Sequence, residues 1–168
     1  MQKEYSKNEK IKYYTPIENP IPYKLYGWVS INKKPVFHNG IDLISKTNNK
    51  DVFAITDGIV IYNYPENGEK GKNSKNILKT DVSDNYVIIE HIINNETYFV
   101  KYYHITGNNF KEGQKVEAGE KIGEYVKCTD CNYDTQEHLH LSFLDVRWDY
   151  IDPLEILSKL FPDVFRLK

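Results

Sequence analysis

The chain has 168 residues, 40% hydrophobic and 27% charged, a composition that supports one folded domain with its own core and argues against wholesale disorder. Twenty-two basic residues against 24 acidic ones leave a net charge of −2, without the basic surplus of a protein built to hold nucleic-acid phosphates. No stretch approaches the roughly 18 consecutive apolar residues of a membrane-spanning helix, and the lysine-rich Met1–Tyr14 has no apolar centre of the secretory-signal kind. Residues 1–22 are polar and carry Pro16, Pro20 and Pro22, which predicts an extended N-terminal arm laid over a domain formed by residues 23–168. From Tyr23 onward the signals are those of strands. Phe53-Ala54-Ile55, Thr56-Asp57-Gly58 and Ile59–Tyr62 read as strand, turn and strand. Residues 64–85 form a long polar connection of the kind that serves as a functional rim or a mobile loop. Tyr86–Ile93 and Glu96–Ile105 are β-branched and aromatic runs separated by Asn94-Asn95, the signature of a hairpin with a two-residue turn. Gly113, Gly119 and Gly123 predict tight turns feeding a short strand at Ile122–Val126, and His138–Val146 predicts another strand. Asp152-Pro153 opens the one convincing helix, expected over residues 153–161, with Leu154, Ile156, Leu157 and Leu160 on its apolar face. The expected class is mainly β: a small antiparallel sheet or sandwich with a polar arm and one short C-terminal helix.

Five histidines make their positions informative. In Phe37-His38-Asn39-Gly40-Ile41-Asp42, Gly40 permits a sharp fold that brings His38 and Asp42 to one point, although a hairpin with surface His and Asp fits the same residues. Imidazole and carboxylate are both zinc-ligand types. His138 and His140 stand two apart in an apolar strand, so both imidazoles face the same way and each needs a partner if buried. His104 ends the strand from Tyr98, on the face of Val100 and Tyr102. His91 serves as a control. With Asn94-Asn95 as the turn it pairs with Tyr98, which puts it on the order of 20 Å from His104 and assigns it a structural role.

In this order, His38-Asn-Gly-Ile-Asp42, Tyr103-His104 and His138-Leu-His140 resemble the lysostaphin/LytM-type zinc endopeptidases that cut peptidoglycan. Ala54-Ile-Thr-Asp-Gly-Ile-Val60, the hairpin Tyr86–His104 and the glycine-punctuated stretch from Gly113 to Gly123 fit the same template, so the resemblance spans about Gly27 to Pro153. It implies an antiparallel β fold with a groove across the sheet. It also implies Zn2+ held by His38, Asp42 and His140, with His104 and His138 as the further catalytic histidines. Three protein ligands leave a fourth position of a tetrahedral zinc for water, the arrangement of a catalytic centre. The activity implied is endopeptidase cleavage of peptidoglycan peptide by a monomer without nucleic-acid or membrane-spanning business. The implied location is extracytoplasmic, with any signal segment outside this sequence.

Two departures concern the groove walls. The stretch before His138, Cys128–Glu137, lacks the family's usual glycines, and Gly27–Phe37 offers Trp28 but no tyrosine for a helper role. The Cys128-x-x-Cys131 pair has no second pair for a zinc site and no βαβ context for a redox centre, which leaves a local disulfide or two unreactive thiols. Two other functions compete: a non-catalytic cell-wall-binding or regulatory module of the same fold, and a sugar phosphotransferase-type phosphocarrier, which needs no carboxylate ligand.

Overall fold

The computed structural model describes residues 4–8 (as backbone), 11–64, 85–127 and 136–166. Cys128 and Cys131, and nearly all of the polar connection after Tyr64, lie outside them. The described residues form fifteen strands and one helix: β1 (Glu4–Asn8), β2 (Ile11–Tyr14), β3 (Pro20–Lys24), β4 (Gly27–Ile31), β5 (Lys34–His38), β6 (Ile41–Ser45), β7 (Asp51–Phe53), β8 (Gly58–Tyr64), β9 (Tyr86–Ile93), β10 (Glu96–Tyr103), β11 (Ile105–Thr106), β12 (Lys115–Val116), β13 (Lys121–Tyr125), β14 (Leu139–Leu144), β15 (Tyr150–Ile151) and α1 (Pro153–Leu160). The main sheet runs β12-β8-β9-β10-β14-β6-β3, with β15 added on β14; β11-β13-β7 forms a small sheet, and β4-β5 and β1-β2 are separate pairs. Every described strand pairing is antiparallel.

The expected β class and the central hairpin are present. Glu96 faces Ile93 and Tyr98 faces His91, and the two turn residues take φ of 53° and 67° at Asn94 and Asn95, the left-handed pair that a two-residue turn matched to strand twist requires. Asn is among the few non-glycine residues that tolerate this. The helix is capped by the Asp152 side chain, which accepts from the Leu154 N–H, and Pro153 at the first helical position sacrifices no helical hydrogen bond.

Two segments differ from expectation. Phe53 and Gly58 do not bound a hairpin: β7 pairs with β13 in the small sheet and β8 with β9 in the main one, so Ala54–Asp57 carries the chain between sheets. A Cβ at Gly58 would stand 2.5 Å from Ile89 Cγ2 and 2.7 Å from His91 Nδ1, so close approach rather than turn conformation demands glycine there. From Ile11 onward the stretch expected as a surface arm is packed into the domain, with Tyr13 and Ile17 in the core and β3 on the edge of the main sheet.

Period-two alternation divides the main sheet into two faces. Val87, Tyr102, Leu141 and Ile41 are successive cross-strand partners, all buried, and lie on the core face with Val60, Ile89, Val100, Leu139 and Phe143. Ile55, Ile105 and Ile122 add to this core, as do Ile156, Leu157 and Leu160 of the helix. The opposite face carries the chemistry.

Candidate active site

One row of directly paired residues crosses that opposite face: Tyr64 on β8, Tyr86 on β9, Tyr103 on β10, His140 on β14, Asp42 on β6 and Lys24 on β3. Direct cross-strand partners share a face, so register alone sets His140 beside Asp42. His38 arrives differently. It ends β5 in the separate β4-β5 pair, and Asn39-Gly40 leads from there into β6. The sharp fold expected at Gly40 uses no left-handed φ. Glycine is required instead by contact, because a Cβ would stand 2.6 Å from the Leu141 carbonyl oxygen and 2.7 Å from both His140 Nε2 and Ser142 Oγ.

The result is a triangle of ligand-type atoms. His38 Nε2 lies 3.1 Å from Asp42 Oδ1, His140 Nδ1 lies 2.8 Å from the same oxygen, and the two nitrogens are 3.1 Å apart. The outer nitrogens are already engaged. His38 Nδ1–H donates to the Leu25 carbonyl at 2.7 Å, and His140 Nε2–H is shared between Asn39 Oδ1 and Ser142 Oγ, each at 3.0 Å. These bonds place the ring protons outward and turn two lone pairs and a carboxylate oxygen toward a common centre. Three acceptors this close repel one another unless a cation lies between them. Ligand atoms on a tetrahedral zinc stand about 3.3 Å apart, so the triangle fits such an ion with only slight expansion.

The electrostatics agree with that donor set. Burial alone would raise the Asp42 carboxyl, but its contacts with His140 and His38 and the charges of His140 and His138 outweigh burial and hold it well below the usual carboxylate range. Burial pushes the His140 imidazole down despite Asp42. An ionised carboxylate and a neutral imidazole are the protonation states a metal needs.

His138 and His104 flank the triangle. His138 Nδ1–H donates to the Gln136 carbonyl at 2.7 Å, which leaves Nε2 facing Asp42 Oδ1 at 3.6 Å. His104 is not the last residue of a strand but the joint between β10 and β11, with φ of 62°. A left-handed histidine breaks strand alternation. An unbroken strand would send this side chain to the core face with Tyr102; instead its ring centroid stands 4.9 Å from that of His138 and 6.1 Å from that of His140. Tyr103 lies against both His104, at 4.4 Å, and His140, at 6.2 Å, an aromatic neighbour that belongs to the Tyr103-His104 motif but drew no role from the sequence. Asn39, Ser142 and Lys24 were missed too, although Ser142, two residues beyond His140 on the same face, was readable as its hydrogen-bond partner. All four flanking or ligand-type histidines, with Asp42, Asn39, Lys24 and Tyr103, line a cavity of about 250 Å³ whose other wall is Val29, Ile31, Val36 and Phe37 of the β4-β5 hairpin.

His91 stands apart, fully buried. Its Nδ1–H donates to the Asp57 carbonyl, and its Nε2 accepts from Tyr102 Oη, which in turn accepts the Ile55 N–H. That chain ties β9 and β10 to the crossover between the sheets.

Residues 36–153 match the model of peptidase family M23. The chain belongs to peptidase family M23. The matched span includes His38, Asp42, His104, His138 and His140. Among solved structures, the catalytic domain of the antimicrobial peptidase lysostaphin from Staphylococcus simulans is similar at 24% identity and a TM-score of 0.57, over 83% of this chain and 93% of that one. The SpoIIIAH–SpoIIQ complex offers a likeness at 20% identity and TM-score 0.59, over 84% and 96%, and LytU one at 21% and 0.58, over 86% and 88%. At these identities the likeness is one of fold. No curated protein matches the M23 chain.

Proposed function

We propose that this M23 peptidase is a zinc-dependent endopeptidase that hydrolyses peptide bonds of bacterial peptidoglycan, in the stem peptide or the cross-bridge, outside the cytoplasm. The observation that carries the reading is the triangle of His38 Nε2, Asp42 Oδ1 and His140 Nδ1 at 2.8 to 3.1 Å, with both outer ring nitrogens already committed. These three atoms would hold Zn2+, whose chemistry when bound is to lower the pKa of water and polarise a carbonyl. Peptidoglycan as the substrate is supported by family membership and by the fold shared with a peptidase described as antimicrobial.

The chain's own residues handle the protons. His138, with Nδ1 committed to Gln136, offers its Nε2 lone pair to the cavity and is suited to accept a proton there. His104, packed against His138, is the partner for the second proton transfer and for the negative charge that develops on the scissile carbonyl. The apolar hairpin wall lowers the local dielectric and strengthens both interactions.

Digestion of purified sacculi with and without a chelator, followed by mass analysis of the fragments, tests the reading. Fragments that reveal a new peptide amine, lost on chelation and restored by zinc, support it. Intact sacculi with stoichiometrically zinc-loaded protein, or phosphohistidine in place of zinc, overturn it.

A further inference from the structure

The row that holds the candidate ligands ends at Lys24, and its place there depends on a local irregularity of β3. Pro20 pairs with Ser45, Ile21 with Ile44 and Pro22 with Leu43; continued unbroken, this register would set Tyr23 opposite Asp42. It is not continued. The register shifts between Pro22 and Lys24, and Lys24 becomes the partner of Asp42. A bulge of this kind re-aims side chains, and here it sets an ammonium opposite Asp42 while the Tyr23 ring stays beside the site, its centroid 6.2 Å from that of His138. Lys24 Nζ stands 3.6 Å from Asp42 Oδ2, the oxygen turned away from the histidines, and its side chain keeps 23% exposure at the cavity.

We propose that Lys24 is a specificity residue that selects peptides bearing a free carboxylate within one residue of the bond to be cut, an inference that rests on the peptidase reading above. Lys24 and Asp42 are the only Lys, Arg, Asp or Glu side chains lining the cavity among the described residues. A divalent cation held by the triad takes up the charge of Asp42, and the lining then carries a net positive charge that an anion complements. Carboxylates are the anionic groups a peptide has at neutral pH. The Lys24 side chain is only 23% exposed and lines the same cavity as the apolar Val29, Ile31 and Val36, where an ion pair is screened less than at an open surface. A carboxamide in the same position offers no charge and loses the charge-assisted hydrogen bond.

The test uses zinc-loaded protein and two synthetic peptides with the same scissile bond, one with a free carboxylate at the neighbouring residue and one with the carboxamide. The wild type is expected to favour the carboxylate about tenfold in kcat/KM, mostly through KM, a difference of about 1.4 kcal/mol. K24Q is expected to narrow the preference to less than about twofold, and K24R to keep it. Equal turnover of the two peptides by the wild type, or an undiminished preference in K24Q at full zinc occupancy, overturns the proposal. A second measurement needs no variant: the Lys24 side-chain resonance of the wild type shifts on titration with the carboxylate product and not with the carboxamide product, and the same response to both contradicts the assignment. Failure to cut either peptide, with sacculi also left intact, condemns the peptidase reading itself instead.

Discussion

Asp42 on β6 and His140 on β14 are direct cross-strand partners, with Oδ1 and Nδ1 2.8 Å apart. Residues nearly a hundred positions distant meet because antiparallel register puts them on one face, and the core row one residue away, Ile41 and Leu141, is buried on the other. A slip of one residue in that register would expose the core and bury the site. The stability of the hydrophobic face therefore also holds the chemical one in place.

His140→Ala is expected to abolish stoichiometric zinc binding and hydrolysis together, since it removes one of the three proposed ligand atoms. His91→Ala removes a buried hydrogen-bond partner of Tyr102 and of the Asp57 carbonyl, and is expected to cost about 1–3 kcal/mol of stability while zinc content stays at one per chain. Metal analysis alongside urea unfolding checks both. Loss of zinc from both variants to the same degree would contradict the division between site and scaffold.

The same buried histidine sets a pH dependence. Burial lowers the His91 imidazole to about 4 from an ordinary 6.5, against the weaker pull of the Asp57 carbonyl. Between these values the unfolded chain binds a proton that the folded chain refuses. Its contribution is therefore complete above about pH 6.5 and is lost progressively as pH falls toward 4, by about 3 kcal/mol in all. Unfolding of chelator-treated wild type and His91→Gln across this range is expected to show the steeper decline in the wild type; parallel curves would refute the assignment.

His140 Nε2–H has two acceptors, Asn39 Oδ1 and Ser142 Oγ. Either single replacement, Asn39→Ala or Ser142→Ala, leaves one acceptor to hold the tautomer, so zinc affinity is expected to fall only a few-fold. The double variant frees the ring and is expected to lose roughly 10–100-fold, more than the product of the single effects. Competition with a chromophoric chelator measures all three, and simple multiplicativity would show that the two acceptors do not substitute for each other.

Gly40→Ala would drive a Cβ against the Leu141 carbonyl and the rear of His140. Backbone cannot yield as a flexible side chain does. Destabilisation of about 1–3 kcal/mol is expected, together with weakened zinc binding. Wild-type affinity in this variant, measured by the same competition, would show that the approach of β14 to the Asn39-Gly40 link is not what positions His140.

Much of this was legible in the sequence because strand period and residue chemistry act locally. His138 and His140 two apart in an apolar run, the Asn94-Asn95 turn and the Asp152-Pro153 helix start each carry their own signal over a few residues. The features that escaped depend on where the chain goes next. Phe53 to Gly58 has the composition of a hairpin, yet β7 and β8 find partners in different sheets. Strand alternation assigns His104 to the core face; only the departure of the chain toward β13 makes a left-handed residue there necessary. Lys24 drew no reading at all, since a bulge opposite Asp42 leaves no mark in composition. In the first two cases a non-local pairing overrode a local pattern.

X-ray absorption at the zinc edge of the loaded protein addresses the ligand set most directly. One zinc per chain is expected, with nitrogen and oxygen neighbours only, at about 2.0–2.1 Å, and the multiple-scattering pattern of two imidazoles. A sulfur neighbour near 2.3 Å, which would place the ion on Cys128 or Cys131, or a shell without imidazole, would contradict it.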